Sequence, residues 1–228
     1  MNEVLTAEKL DAGYSRRPVV RDLNLAVGEG EICALLGANG AGKSTTLLAL
    51  AGELPPLSGE VGFLGKVTRA SLYRRARSGL AYVPEEHSIF SRLTVADNLR
   101  VGKADSVYAL SLFPELERLM SRRAGLLSGG ERQMLTLARA LGRRPKALLI
   151  DEMSLGLAPL IVQRLLSVVH KASKEDGVAV LLVEQHVRQA MRIADHALVL
   201  RRGEVVLSGT ALELDSRLSE IEKAYLSS

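Results

Sequence analysis

Apolar and polar positions follow two rhythms along this chain. Val19 to Val27 alternates on the two-residue period of a half-buried strand, Gly28-Glu29-Gly30 turns it, and Glu31 to Leu36 predicts a buried strand. The opening forty residues are therefore expected to form short strands joined by turns. Thr45 to Ala51 is helix-compatible, and Pro55-Pro56-Leu57-Ser58-Gly59 breaks the chain. Gly79 to Val83 predicts another strand, stopped by Pro84. From Ser91 to Leu141 the sequence is helix-rich, charged and interrupted by glycines, which predicts a separate helical lobe. Ala147 to Ile150 and Val178 to Val183 are continuous apolar runs, the signature of parallel strands covered on both faces. Between them Ile161, Leu165, Val168 and Val169 recur at helical spacing, so Leu160 to Ala172 predicts a crossover helix. Ala197 to Leu200 and Val205 to Leu207 flank Arg202-Gly203 as a hairpin. The sum is an α/β core with an inserted helical lobe.

Composition narrows this only a little. A chain of 228 residues that is 47% hydrophobic can bury one substantial core, or one core and a small lobe. With 30 basic and 26 acidic residues, the net charge of +4 suits an anionic partner. The arginine pairs (Arg16-Arg17, Arg74-Arg75, Arg122-Arg123, Arg143-Arg144, Arg201-Arg202) read mostly as solvated surface. The single cysteine, Cys33, lies in an apolar run and reads as a buried thiol. No apolar signal-peptide core stands in Met1 to Leu10, and apolar stretches of about eight residues fall short of the roughly 20 that span a bilayer. The chain is expected to be cytoplasmic, meeting a membrane only through a partner.

Gly37-Ala38-Asn39-Gly40-Ala41-Gly42-Lys43-Ser44 satisfies the G-x-x-x-x-G-K-[ST] pattern between a predicted buried strand and a helix. Glycines let backbone N–H groups wrap a polyphosphate, and the following helix turns its positive end to the same charge. Lys43 can reach the β- and γ-phosphates and the Ser44 hydroxyl can ligate Mg²⁺. Ala147 to Glu152 is an apolar strand ending in two carboxylates. Alone it is an ordinary strand with an acidic turn. Beside a phosphate loop, Asp151 suits Mg²⁺ and Glu152 suits the polarisation of an attacking water. Leu127-Ser128-Gly129-Gly130-Glu131-Arg132-Gln133 opens a predicted helix, Glu131 to Leu141. By itself it is a plain N-cap or a second anion-binding helix start.

In this order, the three motifs resemble those of the ABC-transporter ATPases, and the resemblance covers essentially the whole chain. It implies a P-loop NTPase fold of ABC type: a mostly parallel core sheet, an N-terminal antiparallel β-subdomain and an inserted helical subdomain. Residues of about 1–87 and 146–228 would form the core with its β-subdomain, and about 88–145 the helical subdomain. The nucleotide, MgATP, would touch Tyr14 through its adenine, Gly37, Ala38, Asn39, Gly40, Ala41, Gly42, Lys43, Ser44 and Thr45 through its phosphates, and Ser128, Gly129 and Gly130 from a second subunit. Metal ligands implied are Ser44, Asp151 and Glu85, the last standing in Val83-Pro84-Glu85 where the family places a glutamine. A core tyrosine is the competing reading of Tyr14. Activity would require a dimer, with itself or with a paralogous ABC ATPase.

Some positions depart from the family pattern. In Leu182-Val183-Glu184-Gln185-His186, Gln185 takes the usual switch-histidine position and His186 comes one residue late. Gln185 can donate to a γ-phosphate but carries no charge; His186 replaces it if the loop shifts. Ala158 stands where an aspartate is common, and Met153 replaces a proline. Val-Pro-Glu, Ser-Leu-Gly-Leu-Ala-Pro and Val-Glu-Gln together resemble the LivF-type ATPases of branched-chain amino acid importers, as do Asn39 and the ending Ala224-Tyr225-Leu226. The stretch Arg100 to Leu112 looks short for that subfamily. The resemblance implies catalytic roles for Glu152, Lys43 and Gln185, permease subunits as integral-membrane partners, a solute-binding protein as an indirect one, and a place on the inner face of the membrane. Branched-chain amino acids, or related amino acids and amides, are the implied solute. The alternatives are a non-transport ABC ATPase acting on nucleic acid or the ribosome, an inactive cassette, and an ATPase for another solute or for export. A single signature, no heptad array and scattered basic pairs count against nucleic acid.

Overall fold

The computed structural model describes residues 2–85 and 88–221. The chain begins with two long strands, β1 (Glu3–Tyr14) and β2 (Arg17–Gly28), and then β3 (Ile32–Leu36) and helix α1 (Lys43–Ala51). There follow β4 (Ser58–Phe63), β5 (Lys66–Val67), α2 (Leu72–Arg77) and β6 (Leu80–Val83), then α3 (Val95–Val101) and α4 (Ser106–Leu112). Two 3₁₀ turns, Pro114–Leu119 and Ala124–Leu126, precede α5 (Gly129–Leu141). The remainder runs β7 (Ala147–Asp151), α6 (Pro159–Asp176), β8 (Ala179–Glu184), α7 (Val187–Met191), β9 (His196–Arg201), β10 (Glu204–Thr210) and α8 (Ala211–Asp215).

These strands make two sheets. One is antiparallel, in the order β2-β1-β4-β5; the other runs β10-β9-β3-β8-β7-β6 and is parallel except where β10 returns against β9. The opening segment differs from the short strands expected of it, because β1 and β2 are each 12 residues long. Register shifts along their pairing absorb the irregular residues that blur the alternation in the sequence. The predicted parallel strands and the crossover helix lie where the apolar runs place them. Helix α5 begins two residues earlier than expected, with both glycines inside its first turn.

Period-2 alternation divides the interior in two. Ile32, Ala34 and Leu36 of β3 face a core built from α5, α6 and the helical segments around Phe113, whereas Cys33 and Leu35 face α1 and the antiparallel sheet. Val180 and Leu182 of β8 join the first core; Leu181 and Val183 join the second. Cys33 is buried, as expected, and burial pushes its thiol up to about 12. Arg75 is not the solvated charge its neighbourhood suggests. It is 2% exposed and bonds the carbonyls of Leu50, Ala70 and Thr68. The ending Ala224-Tyr225-Leu226 lies outside the described residues.

Candidate functional site

Parallel strands place their carboxyl ends along one edge of the sheet, where open α/β folds collect chemistry. Here β3 ends in the glycine loop, β7 in Asp151, β8 in Glu184, and β6 two residues before Glu85. Gly42 caps α1 at φ +107, and a Cβ there would stand 2.8 Å from Val20 Cγ2, so only glycine fits this bend. The turn of the β9–β10 hairpin braces the loop from behind, since Gly203 N–H donates to Ala41 O at 3.0 Å.

A cleft of about 410 Å³ opens at this edge, lined by Asn39, Gly40, Gly42, Lys43, Ser44, Thr45, Glu85, Glu152 and Gln185, together with Val19 and Leu155. Lys43 is 4% exposed and donates to the carbonyls of Gly37 at 2.9 Å and Ala38 at 3.1 Å. Its Nζ also stands 3.2 Å from Glu152 Oε1, and Gln185 Nε2 donates to Glu152 Oε2 at 2.5 Å. Glu152 thus sits between a cation and an amide. Its backbone is left-handed at φ +44, held by a hydrogen bond from its N–H to Val183 O at 3.0 Å.

Burial pushes the Asp151 carboxyl above its ordinary value; a hydrogen bond from Ser44 works the other way, Glu152 and Glu85 raise it further, and Lys43 lowers it. Asp151 Oδ1 is buried without a hydrogen-bond partner. An orphaned carboxylate oxygen beside the serine hydroxyl that ends the glycine loop is a hard-oxygen donor set suited to Mg²⁺. That ion is held by one or two carboxylates and the phosphates of its substrate, not by a protein cage. Among the described residues no group of three or more His, Cys, Asp or Glu forms such a cage.

Other expected site residues are not in the cleft. Tyr14 ends β1, 52% exposed, at the tip of the hairpin whose other strand brings Val19 to the cleft wall. Ser128, Gly129 and Gly130 lie elsewhere, at the start of α5. There Ser128 forms a capping box: its N–H donates to Glu131 Oε2 at 2.8 Å, and its Oγ accepts from Glu131 N–H. Gln185, not His186, lines the cleft, and His186 Nδ1 lies 3.4 Å from Ser154 Oγ. The sequence reading missed Val19, Leu155 and the buried Glu184. An unbroken apolar strand ending in a carboxylate was the available signal for the last.

Comparison with known proteins identifies the family. The profile described as ABC transporter matches residues 20–154. The chain is 40% identical to a high-affinity branched-chain amino acid transport ATP-binding protein, BraG of Pseudomonas aeruginosa, over 98% of this chain and 99% of that protein. It is 34% identical to the lipopolysaccharide export system ATP-binding protein LptB of Escherichia coli K12, over 97% and 96%. A solved nucleotide-free ATP-binding cassette of an ABC transporter superposes with a TM-score of 0.88 at 22% identity, covering 97% of this chain and 98% of that one. With its phosphate loop and its acidic strand end in one cleft, this chain belongs to the ABC transporter family, as one of its ATP-binding, ATP-hydrolysing subunits.

Proposed function

We propose that the chain drives an ABC importer for branched-chain amino acids or related amino acids and amides, hydrolysing MgATP in composite sites shared by two subunits. The observation that carries the reading is the meeting of Glu152 and Lys43 in the glycine-loop cleft, 3.2 Å apart. Phosphates bind the amides of Gly37 to Thr45 at the start of α1, and adenine stacks on Tyr14. Lys43 turns from Glu152 to the β- and γ-phosphates as ATP enters, which frees the carboxylate to orient and accept a proton from the attacking water. Gln185 holds that carboxylate in place. Mg²⁺, held by Ser44, Asp151 and Glu85, supplies charge neutralisation at the phosphates.

A second subunit, another copy or a paralogous ATPase, completes each site with Ser128, Gly129 and Gly130, which hold the γ-phosphate from the far side. Leu126, Leu155 and Leu160 stand 64%, 55% and 78% exposed on the segments that adjoin the cleft and the start of α5, an apolar supplement suited to burial against that subunit. Residues of about 88–145 form the lobe that meets the permease. A cleft of about 800 Å³ beside Pro84, with Tyr73, Phe90 and Val101 at its wall and Arg139 and Arg143 at its rim, is the docking place we assign to it. Among the described residues no helix is long and apolar enough to cross a membrane. Our reading puts the chain on the inner face of the membrane, held there by permease subunits, with a solute-binding protein as indirect partner and no nucleic acid. The greater likeness to the amino-acid transport protein than to the export protein favours import.

Glu152→Gln tests the reading. It is expected to bind ATP, accumulate as a closed dimer, and lose about 10²- to 10⁴-fold in turnover; phosphate release close to that of the parent would remove Glu152 from the reaction.

A further inference from the structure

The loops that follow β7 and β8 are tied together twice. The first tie is the hydrogen bond from Gln185 to Glu152 inside the cleft. The second lies beneath it: Ser154 donates its N–H to Glu184 Oε1 at 3.2 Å and its hydroxyl to Glu184 Oε2 at 2.6 Å. Glu184 is 1% exposed and does not line the cleft, so it reaches no substrate. Burial pushes its carboxyl up, and the two donors of Ser154 act against that by favouring the charged form. The order Glu184–Ser154–His186 is not a nucleophilic relay, because the serine hydroxyl donates to the carboxylate and not to the imidazole.

What the second tie secures is the bend at Glu152. A glutamate at φ +44 brings its Cβ against the neighbouring carbonyl, and left to itself the chain would relax out of that region. Glu152 N–H is held on one side by Val183 O. Two residues on, Ser154 is gripped through both its backbone and its side chain by a carboxylate from the strand end that also carries Gln185. One buried group therefore sets both members of the Glu152–Gln185 pair.

We propose that Glu184 is a positioning residue for ATP hydrolysis, acting through Ser154 to keep Glu152 in its left-handed bend and in register with Gln185. The proposal rests on the assignment of Glu152 made above. A carboxylate displaced by an ångström in the reacting geometry loses turnover, while the phosphate loop that determines ATP affinity is untouched.

Steady-state hydrolysis and equilibrium binding of a fluorescent ATP analogue, measured on the purified chain, test it. Ser154→Ala and Glu184→Gln are each expected to lower kcat by about 10- to 100-fold. The KM and the analogue's Kd should stay within about twofold, because the phosphate loop is intact. Ser154→Thr, which keeps the hydroxyl, should restore kcat, and the double variant should be no worse than the poorer single one. Three outcomes overturn the proposal: Ser154→Ala with parental kcat, losses that multiply in the double variant, or KM and Kd rising in step with the fall in kcat. Should Glu184→Gln not fold, the Ser154→Ala and Ser154→Thr pair decides alone. Glu152→Gln run beside them separates the two readings, since parental turnover there sinks the assignment of Glu152 and not merely its support.

Discussion

Arg75 takes a guanidinium into the interior and spends it on backbone carbonyls. Its Nη1 donates to Leu50 O, at the end of α1, while Nε and Nη2 donate to Ala70 O and Thr68 O. A cation at the carboxyl end of α1 complements the helix dipole whose opposite end faces the glycine-loop cleft. Burial lowers its pKa, yet it remains charged because every hydrogen bond it makes favours the protonated form. Removing it strands several buried carbonyls together. Arg75→Met is expected to cost about 2–4 kcal/mol, seen in calorimetry as a fall in Tm of about 5–15 °C. Arg75→Lys should recover only part, since an ammonium cannot reach three carbonyls in a fork.

Among the elements, α6 ties the helical lobe to the core. Arg164 Nε donates to Glu115 Oε1 at 2.7 Å, its Nη2 donates to Leu112 O at 2.6 Å, and the guanidinium lies 5.4 Å from the Phe113 ring centre. At the other end of α6 the Tyr108 hydroxyl bonds Asp176. The hydrogen bond from Arg164 holds the Glu115 carboxyl below its ordinary value. A depressed folded-state pKa contributes stability above the unfolded value and loses it as pH falls through the folded one. Both side chains are about one-third exposed, so the pair is worth about 1 kcal/mol or less. Glu115→Gln is expected to be that much less stable in urea at neutral pH, with the difference closing below about pH 4. A gap that persists in acid would mean that shape, not charge, makes the contact.

At the scale of the whole molecule, the cleft and the start of α5 stand apart, and the composite site proposed above requires a twofold pairing in which one chain's Ser128 serves another's phosphate loop. On that proposal, Ser128→Ala would damage the half-site a subunit lends and Glu152→Gln the half-site it keeps. A mixed dimer of the two variants then holds one site with both defects and one with neither. Mixing equal amounts of the two nearly inactive variants is expected to restore about a quarter of parental sites, as random pairing predicts. A silent mixture that wakes on addition of a paralogous ATPase would identify a heteromeric pair. Activity that scales linearly with protein concentration, in a strict monomer, would refute the composite site.

Local chemistry was legible in the residues themselves. A glycine loop needs its glycines wherever it binds phosphate, and parallel strands buried on both faces must be apolar throughout, so Gly37 to Ser44, Ala147 to Glu152 and Val178 to Val183 announced their elements without a fold. The length of β1 and β2 was not legible, because paired register shifts conceal the alternation. Nor was the burial of Arg75, whose carbonyl partners come from separate elements. The same holds at the site. Lys43, Glu152 and Gln185 were nameable one by one from their motifs, but that Glu152 lies clasped between the other two, and that Glu184 grips Ser154 beneath it, depends on side chains far apart in sequence. Hydrogen bonds of that kind have no period and no spacing. They exist only after β3, β7 and β8 have been laid side by side, and that step belongs to the tertiary structure.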